Sequence, residues 1–155
     1  MVIISNDFLI RGAVVGLLAD AVKLLVNYIA YSLGYTQVVF WRITAAHMLQ
    51  QGQLHTPAAL LIGAVVDLFA AGGLGIIFLW LINRVFDKKL LVLKGFVFGM
   101  LVWLGLFGLL ATVLEQKLPQ SISGILVTLV AHAVFGIALA CFARIVDGNE
   151  RELID

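Results

Sequence analysis

A single cysteine, Cys141, stands in the whole chain, so an intramolecular disulfide and a cysteine-based zinc site are both excluded. Cys141 reads as a small apolar residue within a helix. Charge is scarce as well. Only 12% of the 155 residues are Asp, Glu, Lys or Arg, against about 25% in an ordinary soluble domain. The net charge is +1 with no concentrated basic patch, which argues against nucleic acid as a partner. Also missing are a Ser-His-Asp spacing, a phosphate-binding glycine loop and a Cys-x-x-Cys pair, so neither an enzyme nor a cofactor is expected. His47 and His55 lie eight residues apart with a glycine between, and with Glu115 they match no strong metal motif. The first ten residues contain no Lys or Arg. The apolar stretch after them is too long for a signal h-region, so that segment is expected to be retained.

What the chain has in abundance is apolar surface: 63% hydrophobic residues and a mean hydropathy of +1.10. A soluble fold of this size cannot hide so much, and a lipid bilayer is the expected surrounding. A helix needs about 20 apolar residues to cross a hydrocarbon core of roughly 30 Å. Four stretches meet that length, near 8–33, 57–83, 91–114 and 122–146. The expectation is a single all-α domain, a polytopic membrane protein over 1–155. Thr56-Pro57 supplies an N-cap and a first-turn proline for the second span. Pro119 and Ser121 mark the turn before the fourth.

The basic residues orient these spans. With both termini inside, the inner side holds Arg11, Arg84, Lys88, Lys89, Lys94, Arg144 and Arg151, and the outer side only Arg42 and Lys117. The expected topology is therefore N-in, C-in. A bacterial cytoplasmic membrane is the expected location, from size and the lack of targeting signals.

The 34–56 connection is long and only partly polar. Val38, Trp41, Ala45 and Met48 recur at helical spacing. This predicts an amphipathic helix over about 37–51, lying at the outer interface with Trp41 at headgroup depth. The alternative is a helix folded over the mouth of the bundle as a lid.

Two halves of the chain resemble one another. "RGAVVGLLA" at 11–19 parallels "KGFVFGMLV" at 94–102, and "LGIIFLWLINRV" at 74–85 parallels "FGIALACFARIV" at 135–146. On that alignment Asp20, Lys23 and Asn27 stand where the second half has Trp103, Leu106 and Leu110. The glycine pairs Gly12/Gly16 and Gly95/Gly99, each one turn apart, suit close helix approach. They serve packing within one bundle or, on the sharper reading, a homo-oligomer seam.

The charges inside the spans carry the functional reading. At 3.6 residues per turn, Gly16, Asp20, Lys23, Asn27 and Tyr31 form one stripe. Facing lipid, a central charge costs about 2.5–3.5 kcal/mol on insertion scales, so the stripe is expected to point inward. Lys23 and Asp67 each fall about 4–5 Å outward of the midplane at 1.5 Å per residue. Asp20 and His132 lie close to the same depth. Asp20, Lys23, Asn27, Asp67 and His132 are thus the candidate binding and proton-coupling residues.

Two carboxylates with one lysine leave an excess negative charge in a low-dielectric site, and one bound proton or cation relieves it. This points to a small membrane protein that moves or binds a small polar or cationic species with proton coupling. The competing reading is a non-transporting assembly subunit whose polar residues only tie helices together. For His132 taken alone, that reading is a hydrogen bond to Thr128 one turn away.

Overall fold

The computed structural model describes residues 2–85, 89–110 and 121–154, with side chains over 8–85, 89–109 and 121–146. Every regular element among them is helical. Helix α1 spans Val2–Ser32, α2 Phe40–Ala45, α3 Pro57–Arg84, α4 Leu91–Trp103 and α5 Ile122–Ile154. A 3₁₀ turn at Gln51–Gln53 precedes α3, and α4 continues as a π-helical segment over Leu104–Leu110.

Local chemistry sets the helix ends. Thr56 caps α3 by accepting the Ala59 amide at 3.2 Å, with Pro57 at the first helical position. Ser121 does the same for α5, accepting the Gly124 amide at 3.1 Å. Gly34, at φ +80°, stops α1. There the Tyr35 amide reaches back to the Ala30 carbonyl, as in a Schellman cap.

Among the described residues, three helical segments are long and apolar enough to cross a membrane: Pro57–Arg84, Leu91–Leu109 and Ile122–Val146. By length and composition this is a helical membrane protein. The third expected span, 91–114, is matched as far as Leu109, and its last residues lie outside the described part of the chain. Glu115 lies outside it too.

Helices α1 and α5 form the centre of the bundle, with α3 packed along α1 and α4 along α5. Phe78 of α3 and Phe98 of α4 meet at 5.2 Å between ring centres. Glycines make both outer seams close. A Cβ on Gly75 would collide with the Gly12 carbonyl and the Gly16 backbone. A Cβ on Gly136 would collide with the Gly95 carbonyl. Around these crossings runs one apolar core, including Val15, Ala71, Phe78, Leu79, Ile82, Phe135, Leu139 and Ala143.

The connection after α1 departs from expectation. Its helix covers six residues, not 37–51, and it is docked on α3. A Cβ on Gly63 would strike the Trp41 carbonyl, which sets how closely α2 seats. The buried residues are Phe40, Ile43, Ala45 and Ala46, whereas Trp41 is partly exposed and Met48 is 64% exposed. The expected stripe is therefore split: Ala45 is wholly buried, and Trp41 and Met48 face outward. The inward side is chosen by packing on α3, and that packing continues past the helix through Ala46 and Leu54. The segment is packed on α3, with the Phe40 ring beside the Lys23 ammonium.

Candidate functional site

The inward stripe of α1 is built as its spacing predicts through Asn27. Asp20 is wholly buried, Lys23 4% exposed and Asn27 2% exposed. Tyr31 does not belong to it. Its side chain is 44% exposed.

From α3, Asp67 comes in at the same depth, and the two carboxylates share one lysine. The Lys23 Nζ donates to Asp67 Oδ1 at 2.8 Å and lies 2.5 Å from Asp20 Oδ1. Asp67 thus finds its cation in Lys23. The second oxygen of each carboxylate, Asp20 Oδ2 and Asp67 Oδ2, is buried without a hydrogen-bond partner among the described residues. An ionised carboxylate has about four acceptor sites. One ammonium, with three hydrogens, leaves the pair under-satisfied.

Aromatic rings complete the enclosure. The Lys23 Nζ sits over the face of Phe40 at 4.0 Å from the ring centre, with Phe135 at 5.7 Å. A cation over a ring face is attracted by the ring quadrupole, by about 2 kcal/mol where water is excluded. Asn27 takes part indirectly. Its Oδ1 accepts the Phe40 amide at 2.8 Å, which ties the first residue of α2 to α1. Its Nδ2 is buried with no partner among the described residues.

His132 stands beside the ion cluster without bonding to it. Its Nδ1 lies 2.8 Å from the Thr128 carbonyl oxygen, one turn back on α5. A carbonyl only accepts, so Nδ1 carries the hydrogen. The ring is held between Phe40, at 5.6 Å, and Phe107, edge-on at 5.7 Å. Phe107 belongs to the π-helical segment, and π-helical turns recur at functional sites. Trp103, stacked on Phe107, donates from its indole nitrogen to Thr128 Oγ1 at 3.1 Å.

The structure thus brings Asp20, Lys23 and Asp67 into direct contact, sets Asn27 at their edge through Phe40, and places His132 across the Phe40 ring. Sequence reasoning missed Phe40, Phe135, Phe107 and Trp103. In an apolar chain an aromatic ring has no mark that separates a cage wall from ordinary core. Away from the cluster, His47 is half-buried near α2, and burial lowers its pKa below the ordinary 6.5. His55 is exposed at the far end of the same connection.

One family model matches residues 7–153, nearly the entire chain. The chain belongs to DUF6789, a family of unknown function. No curated protein and no solved structure matches it. For this DUF6789 member, the buried Asp20–Lys23–Asp67 cluster is the feature that demands a chemical account. Each of its charges carries the full cost of removal from water.

Proposed function

We propose that this protein binds and moves a small cation across the membrane, with proton coupling at Asp20 and Asp67 and with Lys23 as their internal counter-ion. The observation that carries this reading is the sharing of one lysine by two buried carboxylates, each with an unpartnered oxygen. Such a cluster gains by taking one further positive charge, a proton in the simplest case. When that charge arrives at Asp67, the Lys23 ammonium pairs with Asp20 alone. When it leaves, Lys23 bridges the two again. The lysine therefore moves over an ångström-scale distance between two partners already in contact with it, and no large rearrangement is needed for exchange.

In this reading α1 is the fourth span. Its length and its inward-turned charges support that. Both termini face the cytoplasm of a bacterial cell, in line with the seven-to-two bias of basic residues. A second copy of the chain contributes to any wide aqueous path, since four helices enclose little space. Gly73 and Gly105, where a Cβ would meet nothing within 4 Å, leave small surfaces open for such a neighbour.

The test is proton flux in proteoliposomes under an imposed membrane potential, read by a trapped pH-sensitive dye. Wild-type protein acidifies the lumen. Asp67→Asn and Asp20→Asn remain folded and lose the flux. A wild type without flux or cation binding, together with variants that lose only thermal stability, would establish the assembly-subunit reading instead. That second reading has one specific observation in its favour: His132 and Trp103 are both satisfied on Thr128.

A further inference from the structure

The two ends of the bundle close over the charged cluster in different ways. Toward the end holding Ile82 and Ala143, the apolar core is continuous for several turns. On α5 it runs from Phe135 to Ala143, about 12 Å at 1.5 Å per residue. The glycine crossings sit inside that stretch and bring backbone against backbone. Nothing short of separating helices opens this end.

At the other end the cover is α2. Behind it lies a separate apolar cluster of Ala45, Ala46, Leu54 and Ala59, packed between the connection and the start of α3. Helix α2 rests mainly on α3, where the Trp41 carbonyl seats on Gly63. Its hold on α1 is narrow. It consists chiefly of the Asn27 Oδ1–Phe40 amide bond and the Phe40 ring over Lys23. That same ring covers His132. Gly34, at positive φ, stands in the chain between α1 and α2 and bends without a Cβ penalty.

We propose that α2 is a lid and Phe40 its gate. The cluster is reached from the α2 side of the membrane when the seam between α1 and α2 parts, while α2 stays on α3. Asn27 is the positioning residue that latches the gate through the Phe40 backbone. The inference rests on the proposed function for its purpose, since a cation exchanged at Asp20 and Asp67 needs a way in. Its geometry stands independently of that function.

The experiment is thiol accessibility in a Cys141→Ser background. Thr128→Cys places a thiol on α5, one turn from His132. Labelling is followed with a membrane-impermeant cationic thiosulfonate applied to vesicles of each orientation. Labelling is slow with the lid intact. Asn27→Ala, which removes the bond to the Phe40 amide, raises the rate about fivefold, as expected from a hydrogen bond with a net worth of about 1 kcal/mol. Phe40→Ala keeps that backbone bond but removes the covering ring, and raises the rate at least as much. The rise occurs from the α2 side only. Phe78→Ala, in the opposite core, gives no entry from its own side. An unchanged rate in Phe40→Ala, or an equal rise from both sides, overturns the proposal. Should Thr128→Cys fail to fold, Ala131→Cys carries the same test. Accessibility is read without any flux. Faster labelling with no proton movement keeps the lid and removes the proposed function; flux with unchanged labelling does the reverse.

Discussion

Replacing Lys23 by methionine keeps the length and most of the volume of the side chain and removes only the ammonium. In the folded protein that strands two carboxylates, one wholly buried and the other 5% exposed. Exposed ion pairs are worth less than about 1 kcal/mol, but removing one partner of a buried pair costs about 3–5 kcal/mol. The lost attraction to the Phe40 ring adds up to about 2 kcal/mol, and retained packing of the methionine stem offsets part of it. A net loss of about 4 kcal/mol follows, roughly a 10 °C fall in the unfolding midpoint for a chain of this size. The assay is thermal unfolding in a mild detergent, with the exposed Lys89→Met as the reference substitution. The diagnostic step is the double variant Lys23→Met/Asp67→Asn, which removes one stranded charge and recovers about half of the loss, as expected where the cost is uncompensated charge. Adding Asp20→Asn recovers most of the remainder. If Lys23→Met matches Lys89→Met, or if the Asn substitutions deepen the loss, the cluster is not held by ionic pairing and the reasoning fails.

Gly75→Ala and Gly136→Ala each force a methyl against backbone, so each should cost at least the 1–3 kcal/mol typical of overpacking; unfolding midpoints check this, and Gly73→Ala is the neutral control. His47, its pKa lowered by burial, takes up a proton on unfolding below about pH 6.5 that it does not hold when folded. The stability it lends to the connection is therefore complete above that pH and is lost as pH falls. Hydrogen exchange over residues 40–49 should quicken between pH 7.5 and 5.5 in wild type, and much less in His47→Gln. Gln50→Cys should be labelled by an impermeant maleimide from outside intact cells only; labelling from the cytoplasmic side alone would reverse the topology.

The long helices and the depth of the charged residues could be read from the chain because one physical cost dominates both. Hydrocarbon admits an unbroken helix and rejects a lone charge, so the spacing of Asp20, Lys23, Asn27 and Asp67 already implied an inward, shared site. The reading failed where that cost does not act. Tyr31 continues the helical stripe, but its tip tolerates a polar surface, and its side chain is exposed. The connection after α1 has two apolar sides, and periodicity reports both without saying which one finds a helix to pack on. Phe40 owes its position to a bond from Asn27 thirteen residues earlier, a pairing with no local signature. The π-helical turn at Leu104–Leu110 likewise has only Gly105 and Gly108 to distinguish it from the α-helix it extends.

The two halves of the chain use one crossing for two purposes. Gly16 lies against the Ala71 carbonyl in the first half, and Gly99 against the His132 carbonyl in the second. Gly75 and Gly136 take the matching places across the seam. Counting back the same distance from those two glycines reaches Asp67 in one half and Thr128 in the other. The residues facing them correspond as well: Lys23, paired with Asp20, meets Asp67, and Trp103, aligned with Asp20, donates to Thr128. A polar contact above the glycine crossing thus occurs twice, once ionic and once neutral. The neutral version holds its helices together with no unpaired charge. If helix packing were the whole requirement, the first half could meet it in the same way, without the cost of burying three ions. Transplanting the neutral pair tests this: Asp20→Trp with Lys23→Leu and Asp67→Thr removes three buried ions, so it should fold at least as stably as wild type while losing the cation flux that wild type shows; a stable variant that keeps the flux would refute a transport role for the ions.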